Sequence, residues 1–190
     1  SAAPHSFFIY SEDHGRTWQS SPPAIPEGQN PWTTEAQLVE LADGGILLSM
    51  RNHDDRQQRA WSVFTRNLAT GKLAGSGWSP VTFAVADPVC AAGLVSHPGG
   101  RAGEDLVLFS NPASDSKRER MTVHLSRDGG KTWPVSRLVD ARPSAYSCLT
   151  VLGDGSVGLL YEAGDTQPYA ELVFARFTLD WLASKDDAAQ

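Results

Sequence analysis

The stretch 35–51, EAQLVELADGGILLSMR, constrains this chain more than any other: two strand-like runs meet at a glycine turn, with a charged residue at each open end. Leu38 and Leu41 mark the first run, and residues 46–50 return almost entirely apolar. Between them Asp43-Gly44-Gly45 supplies the positive φ that a tight hairpin requires. Paired in register, Glu35 and Arg51, 16 residues apart, stand at the same end of the hairpin, one on each strand. Residues 146–162, YSCLTVLGDGSVGLLYE, repeat the plan around Gly153-Asp154-Gly155, with Tyr146 and Glu162 again 16 residues apart. A looser copy runs from Cys90 through a glycine-rich turn to Asn111. The three copies start at 35, 90 and 146, in steps of 55 and 56.

A repeat of that size built from strands and turns predicts an all-β chain arranged as the blades of a β-propeller. The innermost strands of a propeller surround one axis, so equivalent ends of successive hairpins converge on one mouth. Glu35, Arg51, Tyr146 and Glu162 would then share a pocket despite their distance in sequence. No window combines a 3.6-residue apolar period with good caps, so helix content is expected to be low.

Composition removes several alternatives. With 16 basic and 22 acidic residues the formal charge is −6, which argues against non-specific nucleic-acid binding and leaves anion recognition to local groups of arginines. No apolar run approaches the roughly 20 residues of a membrane span. The opening residues SAAPHSFFIYSEDHG lack a secretory core and read as an interior piece of something longer, which the partial blade count also suggests. The five histidines show no paired ligand spacing, so neither a metal nor another cofactor is expected. Cys90 and Cys148 are too few for a disulfide framework and read as small inner-strand or core residues, with a bond between them the lesser alternative. The Gly99–Gly103 run lacks the phosphate-loop pattern and reads as a long hairpin turn. Trp32 and Trp78 suit either an exposed stacking platform or the core, and His53-Asp54-Asp55 reads as a loop at the mouth, solvated or in contact with what binds there.

A second motif occurs twice, as SEDHGRTW at 11–18 and SRDGGKTW at 126–133, with a degenerate copy from Thr65 to Leu73. Its form, S-x-D-x-G-x-T-W, is a strand-to-strand turn: the aspartate caps backbone N–H groups, the glycine takes positive φ, and the tryptophan folds beneath its own loop. This octapeptide is the Asp-box. With it the chain resembles the C-terminal half of a bacterial-type or lysosomal-type exo-α-sialidase, from about residue 6 to residue 182, in the same order of elements. The resemblance implies about three blades of a six-bladed propeller over residues 1–182, with 183–190 a polar tail. The boxes themselves lie on the outer rim, away from any chemistry.

The resemblance also implies roles. Sialic acid carries a carboxylate on its anomeric carbon, which repels an anionic nucleophile, and sialidases are the tyrosine exception among glycosidases. A phenol of pKa about 10 needs a base to draw off its proton. The matching residues are Tyr146 as nucleophile and Glu35 as base. The substrate carboxylate calls for planar, permanently charged donors. Arg51 matches the second arginine of the family's triad and Arg118, 28 residues before Tyr146, the third, with Arg120 its neighbouring rival. Glu162 matches the glutamate that orients the first arginine. That first arginine and the aspartate acid/base have no match here. Asp13 and Asp128 belong to the rim turns. The expectation is a retaining exo-α-sialidase acting on sialylated glycoconjugates, secreted or at the cell surface, with this chain inactive until the N-terminal half is supplied. Two exposed blade faces would seek that half or a second copy. The rival readings are a trans-sialidase and a non-catalytic Asp-box propeller that binds carbohydrate or protein.

Overall fold

The computed structural model describes residues 5–26, 28–29, 31–67, 69–102 and 104–184. Strand content dominates. A short pair, β1 (Ile9–Tyr10) and β2 (Gln19–Ser20), is followed by a four-stranded antiparallel sheet of β3 (Thr33–Glu40), β4 (Ile46–Asn52), β5 (Gln58–Phe64) and β6 (Thr82–Ala86). The next sheet contains β7 (Gly93–His97), β8 (Leu106–Pro112), β9 (Glu119–Ser126), β10 (Val135–Val151), β11 (Val157–Ala163) and β12 (Glu171–Phe177) in spatial order. One short helix, α1 (Leu179–Ala183), follows, its N-terminus capped by the Thr178 side chain. The tail boundary expected at 182 therefore falls inside α1, and residues 185–190 lie outside the described residues.

The six-stranded sheet is two blades joined by one strand. Val135 to Pro143 of β10 pairs with β9 as the outer strand of one blade. Ser144 to Val151 pairs with β11 as the inner strand of the next. Register shifts at Leu138/Asp140 and Asp140/Pro143 bend the strand between its two duties, since extra residues break the ladder and increase local twist. Tyr146, which opens the second hairpin in sequence, sits inside this long strand, because the register shifts between Leu138 and Pro143 bend the strand without ending it. The strands amount to about three blades' worth, distributed over two complete four-stranded units and parts of two others.

Burial follows from the stacking. In β8 every residue is buried, Leu106 and Leu108 in one core and Val107 and Phe109 in another. A pleated strand points alternate side chains to opposite faces, so a strand apolar on both faces must have a neighbour on each. β4 reads the same way, with Leu47 facing Trp61 and Phe109, and Leu48 and Met50 facing Ala24 and Ala60.

Both octapeptide turns close at the end of the blades opposite Glu35. In each, the aspartate accepts the threonine amide (2.8 Å from Thr17 to Asp13, 2.9 Å from Thr132 to Asp128) and the threonine hydroxyl (2.6 Å in both). These bonds hold the Asp13 carboxyl down to about 2. Trp18 folds beneath its loop and donates to the Gly15 carbonyl at 3.2 Å. Trp133 does not: it packs between two blades, 4.8 Å from the Trp61 ring of the neighbouring blade and 5.9 Å from the Phe109 ring of its own. Trp78 is core, packed edge-on against Phe8 and Phe64, whereas Trp32 is exposed. Cys90 and Cys148 are both free.

Candidate active site

The two hairpins share a five-residue turn and a bulge near the mouth. On β3 the pairing runs from Gln37↔Ser49 to Thr34↔Arg51, so Glu35 and Ala36 together face Met50. On β10 it runs from Ser147↔Tyr161 to Ser144↔Ala163, so Ala145 and Tyr146 together face Glu162. A bulge of this kind re-aims one side chain out of the strand's alternation. At Glu35 it requires φ of 35°, on the wrong side for an ordinary strand residue.

The inner strands meet closely. A Cβ added at Gly93 would lie 2.6 Å from Ser110 Oγ and 2.9 Å from the Leu149 amide nitrogen, so β7 can approach β10 only with glycine there. The Gly93 amide also donates to Ser147 Oγ at 3.3 Å.

This approach brings the bulges together. The Tyr146 hydroxyl donates to Glu35 Oε1 at 2.9 Å, across 111 residues of sequence. Arg51, at the mouth end of β4, hydrogen-bonds and ion-pairs with the other Glu35 oxygen, and one of its nitrogens reaches the Tyr146 hydroxyl at 3.3 Å. The Arg118 guanidinium lies over the Tyr146 ring, 5.6 Å from its centroid, within cation–π range. Its nitrogens donate to the Tyr169 hydroxyl at 2.8 Å and the Val89 carbonyl at 3.1 Å. Arg120 is exposed, so the choice between the two arginines falls on Arg118 by position. Glu162 accepts the backbone amide of Tyr146 at 3.1 Å, fixing the Tyr146 end of the bulge. All five residues singled out in the sequence thus stand at one mouth.

The electrostatics fix the resting protonation of the pair. Burial pushes the Glu35 carboxyl up, but hydrogen bonds from Arg51 and Tyr146 and the nearby guanidiniums outweigh it, and the net shift is downward. The hydrogen bond to ionised Glu35, together with burial, pushes the Tyr146 phenol up. The proton therefore rests on the phenol beside an ionised carboxylate, and the two shifts widen the gap that a transfer between them must cross.

Sequence reasoning missed two neighbours. Arg59, inside the strand QRAWSVF, is fully buried behind Glu35. Tyr169 was read only as a strand residue and instead lies before β12, in contact with Arg118. Neither carries a motif; only an arginine amid apolar neighbours could have drawn attention to Arg59. His53 hydrogen-bonds Thr34 Oγ1 at 2.7 Å beside Arg51, while Asp54 is absorbed in its own turn, accepting the Arg56 amide at 2.9 Å. No group of three or more potential metal ligands occurs among the described residues, and no described helix is long and apolar enough to cross a membrane. A recess of about 660 Å3 lined by Pro22, Ile25, Trp78 and Phe83 lies away from this mouth and holds no comparable chemistry.

Comparison with known proteins bears on the family and the fold. Residues 1–159 match the family described as BNR repeat-like domain. The chain is similar to a sialidase of Micromonospora viridifaciens, 37% identical across 92% of this chain and 25% of that protein. It is similar to a sialidase of Bacteroides fragilis at 33% identity, across 84% of this chain and 28% of that protein. Among solved structures it superposes on a Hadza microbial sialidase with a TM-score of 0.73 and 36% identity, covering 94% of this chain and 33% of that one. The chain thus spans about a quarter to a third of the length of the relatives it matches. It belongs to the BNR repeat-like domain family, and its fold is part of a sialidase β-propeller.

Proposed function

We propose that these residues form the nucleophilic half of a retaining exo-α-sialidase site that releases terminal sialic acids from glycoconjugates. The observation that carries this reading is the 2.9 Å contact between the Tyr146 hydroxyl and Glu35, with Arg51 reaching both. A pure binding module needs arginines for an anionic sugar but has no use for a base on a tyrosine.

In this reading Arg51 and Arg118 receive the substrate carboxylate. The Tyr146 oxygen attacks the anomeric carbon as its proton passes to Glu35, forming an aryl glycoside bond while the bond to the aglycone oxygen breaks. A general acid protonates the departing oxygen. Water then attacks the anomeric carbon, giving up a proton to the group that had served as general acid, while the phenolate leaves and recovers its own proton from Glu35. Two inversions give net retention. Substrate binding also primes the base: a carboxylate that shares Arg51 weakens that arginine's hold on Glu35, so its affinity for the phenol proton rises.

The general acid, and an arginine for Glu162 to orient, come in this reading from the rest of the catalytic domain, since the chain covers only 25% of its Micromonospora relative. Alone it is expected to be inactive, because loss of general acid catalysis by itself costs about 10²–10⁴-fold. The test is hydrolysis of a fluorogenic sialoside by the complete domain and its Tyr146→Phe form. The variant should lose at least about 10²-fold in kcat; unchanged turnover would remove Tyr146 from the chemistry.

A further inference from the structure

Arg59 lies on β5 beneath the mouth with a side chain wholly shielded from solvent. A guanidinium in such a place needs partners on every arm. Its Nε donates to Ser49 Oγ at 2.9 Å, one terminal nitrogen to the Cys90 carbonyl at 2.7 Å, and the other to the Glu35 carbonyl at 3.1 Å. Asp87 Oδ2 stands 3.6 Å from it as counter-charge, and Asp87 in turn accepts the Cys90 amide at 3.0 Å.

The backbone around this guanidinium is strained. Glu35, Gln57, Val85 and Val89 have φ of 35°, 51°, 64° and 57°. Each such residue persists only where its surroundings over-determine it. For a β-branched valine the conformation is an outlier. The adjacent carbonyls of Val89 and Cys90 are taken by Arg118 and Arg59 respectively. One strap, residues 87–90, therefore joins the backbone of Glu35 to the arginine over Tyr146.

We propose that Arg59 is a positioning residue for Glu35: its planar fork, clamped between the carbonyls of Glu35 and Cys90, holds the β3 bulge in the strained form that aims the carboxylate at the Tyr146 hydroxyl. This rests on the reading of Glu35 as base to Tyr146. Arg59 touches neither substrate nor reacting atoms. A lysine in its place reaches one carbonyl but not two. A displacement of about 1 Å at a reacting pair costs up to roughly 10²-fold.

The test uses the complete catalytic domain with Arg59→Lys and with Arg59→Gln/Asp87→Asn, which leaves no lone buried charge. The charged and titratable groups facing Glu35 are Arg51 on β4, Arg59 on β5, Tyr146 on β10 and the nearby His53. Both variants should lose about 10–10²-fold in kcat with KM changed less than about threefold, and only the double variant, which removes the positive charge, should move the acid limb of kcat to higher pH. Unchanged kcat and pH profile in folded variants would overturn the proposal, as would a rise in KM alone. Failure of both variants to fold would assign Arg59 to the core and overturn it too. A wild-type domain inactive on sialosides would instead sink the function proposed above, so the two failures are told apart.

Discussion

Glu35 is held by three neighbours: Tyr146 donates a hydrogen bond to its carboxylate, Arg51 pairs with the other carboxylate oxygen, and Arg59 donates to its backbone carbonyl. The downward shift of its carboxyl makes a signed prediction. The acid limb of kcat/KM reports the free enzyme and should fall below the ordinary glutamate value of 4.5. The limb of kcat reports the complex, where the substrate carboxylate shares Arg51, and should lie above that of kcat/KM. Coincident limbs in the two profiles would contradict the shared-arginine account. Arg51→Lys keeps a charge but loses the planar fork. It should raise KM by about 10–100-fold, since hydrogen bonds to charged groups are worth about 1.5–3 kcal/mol. At this scale the equal spacings around Glu35 and Tyr146 were readable in sequence, because they encode two like hairpins. Arg59 and Tyr169 were not, because their roles arise from contacts with Cys90 and Arg118 on other segments.

The octapeptide turns show what an element contributes without touching the chemistry. Asp128→Ala removes three hydrogen bonds from the Ser126–Thr132 loop. It should cost about 1–2 kcal/mol, visible as a lower Tm, with kcat of the folded protein unchanged. A fall in kcat at constant Tm would mean that the turn communicates with the mouth. Gly130 has φ of 84°, and an added Cβ would lie 2.5 Å from a Leu47 methyl, so Gly130→Ala should destabilise by about 1–3 kcal/mol. Hairpins and boxes were visible in sequence because glycine and aspartate mark their turns. β6 and α1 were not, since they are short and are specified by the strands and core they pack on.

For the molecule as a whole, stability and activity should part company in acid. His124 is buried against Asn111 and Phe109, and burial pushes its imidazole down from 6.5 to about 4. Between those values the unfolded chain binds a proton that the folded chain refuses, so stability falls as pH falls, by up to about 3 kcal/mol for this one group. Denaturant titrations at pH 7 and pH 4.5 should show that loss, and His124→Asn should lessen the difference; an equal loss in the variant would assign it to other groups. The blade-like repetition of the sheets was legible from the 55-residue step, while the blade-to-blade crossing through β10 was not.

The central claim is that Tyr146 forms a covalent bond to sugar under the pull of Glu35. It is tested most directly by incubating the complete domain with a fluorinated sialosyl donor that slows release of the intermediate, then digesting it and weighing the peptides. The account predicts one added sialosyl mass on the peptide containing Tyr146, absent in Tyr146→Phe and greatly slowed in Glu35→Gln. A label on any other residue, or undiminished turnover with no label at all, would contradict it.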